Sequence, residues 1–199
     1  MTPLRERLET WREYSRISEA GQIARRAFAN NSFDGVLTMI GVVMGNLVVG
    51  VQDATVVLVT GLSTALAIGI SGGWGAYLTE SAERRHAIGE LEQFTLTELQ
   101  DTKIGKASDM AVILVAAVDG LSPFLSALLV VIPFFFASMM PSVVYAYYAS
   151  IAMALLSLFG LGVYLGRISR RNLILSGVKT AIAGVICIAF SYFLEQLAR

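Results

Sequence analysis

Two carboxylates stand inside long apolar runs, where they are expensive. Asp34 lies in Asn30-Asn31-Ser32-Phe33-Asp34-Gly35, and Asp119 in Val118-Asp119-Gly120-Leu121-Ser122-Pro123. A central carboxylate in a bilayer costs roughly 2.5–3.5 kcal/mol on insertion scales, so each needs a reason to be there. Thr38, Gly41 and Gly45 share roughly one helical face with Asp34, Asn46 lies deeper, and Met39 and Met44 add two soft sulfurs. Together these could ligate a divalent cation. Plainer readings compete: Asp34 as a helix N-cap, the methionines as packing, and Asp119 as a buried carboxyl kept protonated or bonded to a neighbouring helix. Pro123 frees a backbone carbonyl and kinks its helix, which is tolerated where the site is buried or lines a cavity. A second constellation is soluble. Glu80, Glu83, His86 and Glu90 share about one helical face, and oxygen ligands with one imidazole suit a first-row divalent metal. The alternative is a solvated helix whose acids pair with Arg84 and Arg85.

The elements that must position these residues are membrane spans, each needing roughly 20 mostly apolar residues. Five stretches are predicted to cross, at approximately 34–51, 54–78, 110–139, 143–166 and 173–194. Only Gln52-Asp53 separates the first two, and a few residues around Pro141 separate the third and fourth, so each pair is an antiparallel hairpin. All Lys and Arg except Lys179 and Arg199 fall in the N-terminal segment, between spans two and three, or between spans four and five. The positive-inside rule then predicts a cytoplasmic N-terminus and an external C-terminus, with Lys179 snorkelling back toward the cytoplasmic interface. Residues 1–31 read as a cytoplasmic arm rather than a signal peptide, with Leu4, Leu8 and Trp11 at helical spacing. Residues 79–108 form the one sizeable soluble insert, rich in acids. The expected fold class is all-α, an integral membrane protein of five transmembrane helices.

Composition agrees. Of 199 residues, 55% are hydrophobic and 15% charged, with a formal net charge of zero and a mean hydropathy of +0.66. That excludes a disordered chain, an ordinary cytosolic domain and a nucleic-acid binder built on a basic face. The single cysteine, Cys187, lies in an apolar run, so no disulfide framework is expected. Glycines four apart at Gly41/Gly45, Gly69/Gly73 and Gly162/Gly166 favour close helix packing, within a subunit or across a dimer. Five helices make a thin wall around a polar path, which also favours pairing two subunits.

The chain resembles the vacuolar iron transporter (VIT) family, as a short prokaryotic-type member, from about Arg25 onward. Ser32-Phe33-Asp34-Gly35-Val36-Leu37-Thr38 looks like the family's opening of the first span. Ser71-Gly72-Gly73-Trp74-Gly75-Ala76-Tyr77-Leu78-Thr79 is similar to the stretch that ends its second. Pro123 and Ile132-Pro133-Phe134 match its proline-bearing third span, and Arg171-Asn172-Leu173 through Gly184 its last helix. Two positions depart: Gly72 stands where the family usually has methionine, and Ala76 where it often has glutamate. The family's glutamate-rich metal-binding insert is also shortened here.

The resemblance implies a homodimer in the prokaryotic plasma membrane, with a pore between subunits lined by the first two spans. Divalent metal (Fe2+, and Mn2+ as a second candidate) would leave the cytoplasm in exchange for protons. Asp34 matches the family's pore aspartate. Met39 or Met44 would replace the missing sulfur, Glu80, Glu83 and Glu90 would gather cations at the cytoplasmic mouth, and Asp119 would relay protons. No permanently bound cofactor and no nucleic-acid partner are expected. The alternative is a non-transporting scaffold or regulator on the same fold. An intramembrane enzyme is disfavoured, because neither Asp34-Gly35 nor Asp119-Gly120 continues into a lipid-transferase pattern and His86 lies in the charged insert.

Overall fold

The computed structural model describes residues 20–198, and every regular element among them is helical. The order is α1 (Ala20–Val49), α2 (Ala54–Thr95), α3 (Lys103–Phe135), a 3-10 turn (Ala137–Met139), α4 (Val143–Ile168) and α5 (Leu173–Ala198). All five α-helices include a stretch long and apolar enough to cross a membrane. The expected amphipathic face at Leu4, Leu8 and Trp11 lies outside the described residues.

The ends of the helices are set by local chemistry. At the end of α1 the Gly50 N–H donates to the Leu47 carbonyl at 3.1 Å and the Val51 N–H to the Asn46 carbonyl at 3.0 Å. Gly50 itself has φ +79°, the left-handed cap position that glycine fills without a Cβ penalty. Asp53 then caps α2, its Oδ1 accepting the Thr55 N–H at 2.8 Å. The α4–α5 connection repeats the design: Arg170 takes φ +53°, the Arg171 N–H donates to the Gly166 carbonyl at 2.9 Å, and Asn172 Oδ1 accepts from Ile174 and Leu175. Both connections close without a single extra turn of loop.

Two helices begin or end away from the apolar boundaries. α1 is already helical at Ala20, the first described residue, so Asp34 lies inside the helix and is not its N-cap. α2 runs on past Leu78 for a total of 42 residues. At 1.5 Å per residue that is about 63 Å, roughly twice a hydrocarbon core. Most of the segment expected as a soluble insert is therefore helix: the overhang of α2, a turn at 96–102, and the first turns of α3. Leu96 takes φ +52°, and a Glu92 carboxylate oxygen accepts the Leu99 N–H at 2.7 Å, closing that turn.

The described residues form two compact units. One contains residues 20–28 and Ile70–Leu121, the other Ala29–Gly69 and 122–198. The second unit holds the main apolar core, with Val36, Met39, Ile40 and Val43 of α1, Val57 of α2, Val130, Val131 and Phe134 of α3, and Tyr147, Ala154 and Leu158 of α4. Phe134 and Tyr147 meet edge to face, centroids 5.0 Å apart. The Tyr147 hydroxyl donates to the Val51 carbonyl at 2.9 Å, tying α4 to the α1–α2 turn. Buried Ser150 donates to the Val130 carbonyl at 2.6 Å. Helices α4 and α5 pack backbone to backbone, because Gly162 and Gly166 lie against Ser176 and Thr180, and Gly177 against the Phe159 ring. The Thr180 hydroxyl crosses to the Leu158 carbonyl at 2.8 Å. The Gly162/Gly166 pair thus packs inside the subunit.

Tyr147→Phe keeps the ring contact and removes only the hydroxyl bond. We expect a loss of about 1 kcal/mol, read as an earlier midpoint in a denaturant series on purified protein.

Candidate functional site

The position of Asp34 follows from its neighbour. Gly35 is buried, and a Cβ there would strike the Pro123 carbonyl and Ser126 Oγ. Glycine lets α1 lie directly on the α3 backbone, and the Ser126 hydroxyl donates to that same Pro123 carbonyl at 3.1 Å. With Gly35 turned inward, Asp34, one residue back and about 100° around the helix, is exposed on the protomer. Thr38 and Gly45 are exposed below it on the same stripe and Gly41 is half-exposed. A Cβ added at Gly41 or Gly45 would meet nothing within 4 Å. Among the described residues, these two glycines pack against no helix of their own chain.

Met39 and Met44 point the other way. Met39 is fully buried and Met44 is 5% exposed, both in the apolar core, with the Met39 sulfur beside Gly61 of α2. The structure does not bring them together with Asp34. Asn46 bonds back to the Val42 carbonyl at 2.8 Å, so its amide serves its own helix.

On α2, within the unit that holds Asp34, Val56, Val59, Thr60, Ser63, Leu66 and Ala67 form a second exposed stripe. Thr60 donates to the Val56 carbonyl at 2.8 Å. The hydroxyls of Thr60 and Ser63 are polar groups on a span face that the sequence reading missed. Their signal was available, since both sit at helical spacing among apolar residues.

In the other unit, α2 and α3 meet at glycines. A Cβ at Gly72 would lie 2.7 Å from the Asp119 carbonyl, and one at Gly73 would lie 3.3 Å from the Ala116 carbonyl. The Asp119 carbonyl is the one that Pro123, lacking an N–H, leaves out of the helical ladder. Gly72 is thus explained by contact: α2 lies too close to α3 for a methionine. Ala76, at 8% exposure, is likewise packed. Asp119 itself is half-buried.

The acidic face on the overhang is dispersed. Glu80 accepts Arg84 Nε at 2.6 Å, while Glu83, His86 and Glu90 are exposed. No group of three or more His, Cys, Asp or Glu among the described residues is arranged to hold a metal ion.

Five helices long and apolar enough to cross a membrane define a multi-pass integral membrane protein, and the first of them holds a carboxylate on an exposed face of small residues. The comparisons name the family. The chain matches the VIT family over residues 26–117 and 95–196. It is 31% identical over 181 residues to uncharacterized protein MJ0645 of Methanocaldococcus jannaschii, covering 89% of this chain and 91% of that protein. The chain belongs to the VIT family, a family of membrane metal-ion transporters.

The glycine contact is testable. Gly72→Met introduces a side chain against backbone and should cost about 1–3 kcal/mol. Gly75→Ala enters open space and should be neutral or slightly stabilising in a helix. Thermal midpoints of the two variants in one detergent check the difference.

Proposed function

We propose that the protein exports divalent metal, Fe2+ foremost and Mn2+ by the same ligand chemistry, from the cytoplasm in exchange for protons, through a pore at a homodimer interface lined by α1 and α2. The observation that carries this reading is Asp34, an ionisable group on an outward face of a spanning helix. Facing lipid it would carry the full insertion penalty. Facing a second copy, it meets another Asp34 across a seam of Thr38, Gly41 and Gly45. Two carboxylates at close range bind a divalent cation well, and they compete for protons, so protonating the pair releases the metal. The N-terminus is cytoplasmic in this reading, as the basic residues imply. With no sulfur on the open face, the pore site is a hard oxygen site drawn from Asp34 and its partner, and Asp119 is retained as a proton relay. Glu80, Glu83 and Glu90 act as a diffuse acidic surface that raises local cation concentration rather than as a fixed cage.

A second reading, a scaffold without transport, is favoured by the glycine and alanine at positions 72 and 76. Transport assays separate the two. In proteoliposomes with an imposed pH gradient, wild type should move Fe2+ or Mn2+, Asp34→Asn should reduce the rate at least tenfold, and Asp34→Glu should keep part of it. Equal rates for wild type and Asp34→Asn would remove Asp34 from the pore.

The seam has its own test. A Cβ added at Gly41 meets nothing within 4 Å among the described residues, so Gly41→Leu should keep its fold. It should nonetheless shift purified protein from dimer to monomer by light scattering. An unchanged dimer would place the interface elsewhere.

A further inference from the structure

Between the overhang of α2 and the first turns of α3, within one unit, lies a cavity of about 540 Å³. That is the size of pockets that take small organic ligands. The residues lining it include Arg84, Arg85, Ser81, Ser108, Glu92 and Asp109. Arg84 is held by Glu80 at 2.6 Å, and one Glu92 oxygen is committed to the Leu99 N–H. Arg85 and Asp109 are exposed and lend the cavity one charge of each sign.

The height of the cavity along the helices is informative. Ser81 comes three residues after Leu78, where the apolar part of α2 ends. The last turn of that part carries Trp74 and Tyr77, both exposed, with ring centroids 6.1 Å apart. Exposed Trp and Tyr at the end of an apolar segment mark the membrane interface. On α3, Ser108 and Asp109 immediately precede the apolar run that begins at Met110. The cavity therefore opens where lipid headgroups lie.

A bare metal cation does not fit two arginines, and a simple anion does not fit two carboxylates. A group carrying both signs does. We propose that this cavity binds a phosphate bearing a nearby ammonium, the chemistry of an ethanolamine phospholipid headgroup. The phosphate lies on the Arg84/Arg85 side with Ser81 and Ser108 as hydroxyl donors, since guanidinium and hydroxyl groups suit phosphate oxygens. The ammonium lies toward Asp109, which neighbours Ser108 at the same end of the cavity. The overhang of α2 is thereby fastened to the headgroup layer, a role that does not depend on Asp34 or on transport.

Native mass spectrometry of protein released from nanodiscs containing equal phosphatidylethanolamine and phosphatidylglycerol tests this. Wild type should retain phosphatidylethanolamine several-fold over phosphatidylglycerol. Arg85→Gln should lower retention of both lipids several-fold, and Asp109→Asn should erase the preference while retaining phosphatidylglycerol. Both residues are exposed, so the variants should fold, and Arg167→Gln serves as a control that changes neither quantity. In a parallel arm, free phosphoethanolamine is added to delipidated protein. A thermal shift matching that given by the phospholipid supports the same site with a soluble source, whereas a shift with the phospholipid alone supports a lipid source. Identical lipid retention and ratio in wild type, Arg85→Gln and Asp109→Asn would overturn the proposal.

Discussion

The contact between Gly35 and the α3 backbone governs where Asp34 points. Only a residue without a Cβ can lie on the Pro123 carbonyl, and once it does, the rotation of α1 is fixed. One residue is about 100° of helix, so an inward glycine makes an outward aspartate. The same rotation turns Met39 and Met44 into the core and leaves Gly41 and Gly45 in open space. The face that α1 presents is set by sterics at one position, not by the polarity of the residues it displays.

Helix α3 plays the receiving part in both units. In one, Gly72 and Gly73 of α2 lie against its backbone near Asp119 and Gly120; in the other, Gly35 and Gly61 lie against Pro123, Ser126 and Val131. Its two prolines, Pro123 and Pro133, sit inside the helix. The buried Ser150 and half-buried Ser126 hydroxyls donate to α3 carbonyls at 2.6 and 3.1 Å. Unlike α1 and α2, the α4–α5 pair spends its small residues on itself, locking Gly162, Gly166 and Gly177 into a tight internal seam.

The spans were legible because hydropathy reports burial in lipid, and the tight turns because only Gln52-Asp53 and a few residues around Pro141 separate the apolar runs. The length of α2 was not legible from apolarity. Hydropathy ends at Leu78, but a charged segment with Ala, Glu and Arg continues a helix without difficulty. The position of Asp34 within α1 was hidden for the same reason, since the helix runs through polar residues ahead of it. The glycine motifs were visible as spacings, yet spacing does not say which partner they meet: Gly162/Gly166 face α5, Gly73 faces α3, and Gly41/Gly45 face outward. Glu80, Glu83, His86 and Glu90 all lie on α2, but spacing along a single helix does not bring carboxylates within ligating distance.

The most direct measurement is the distance between two copies of residue 38, one turn from Asp34. Spin labels at Thr38→Cys in a Cys187→Ala background, in liposomes at low labelling density, should show strong dipolar coupling and little access to oxygen dissolved in the lipid. Uncoupled spins that oxygen relaxes freely would contradict the account, because Asp34 would then border lipid instead of a second carboxylate.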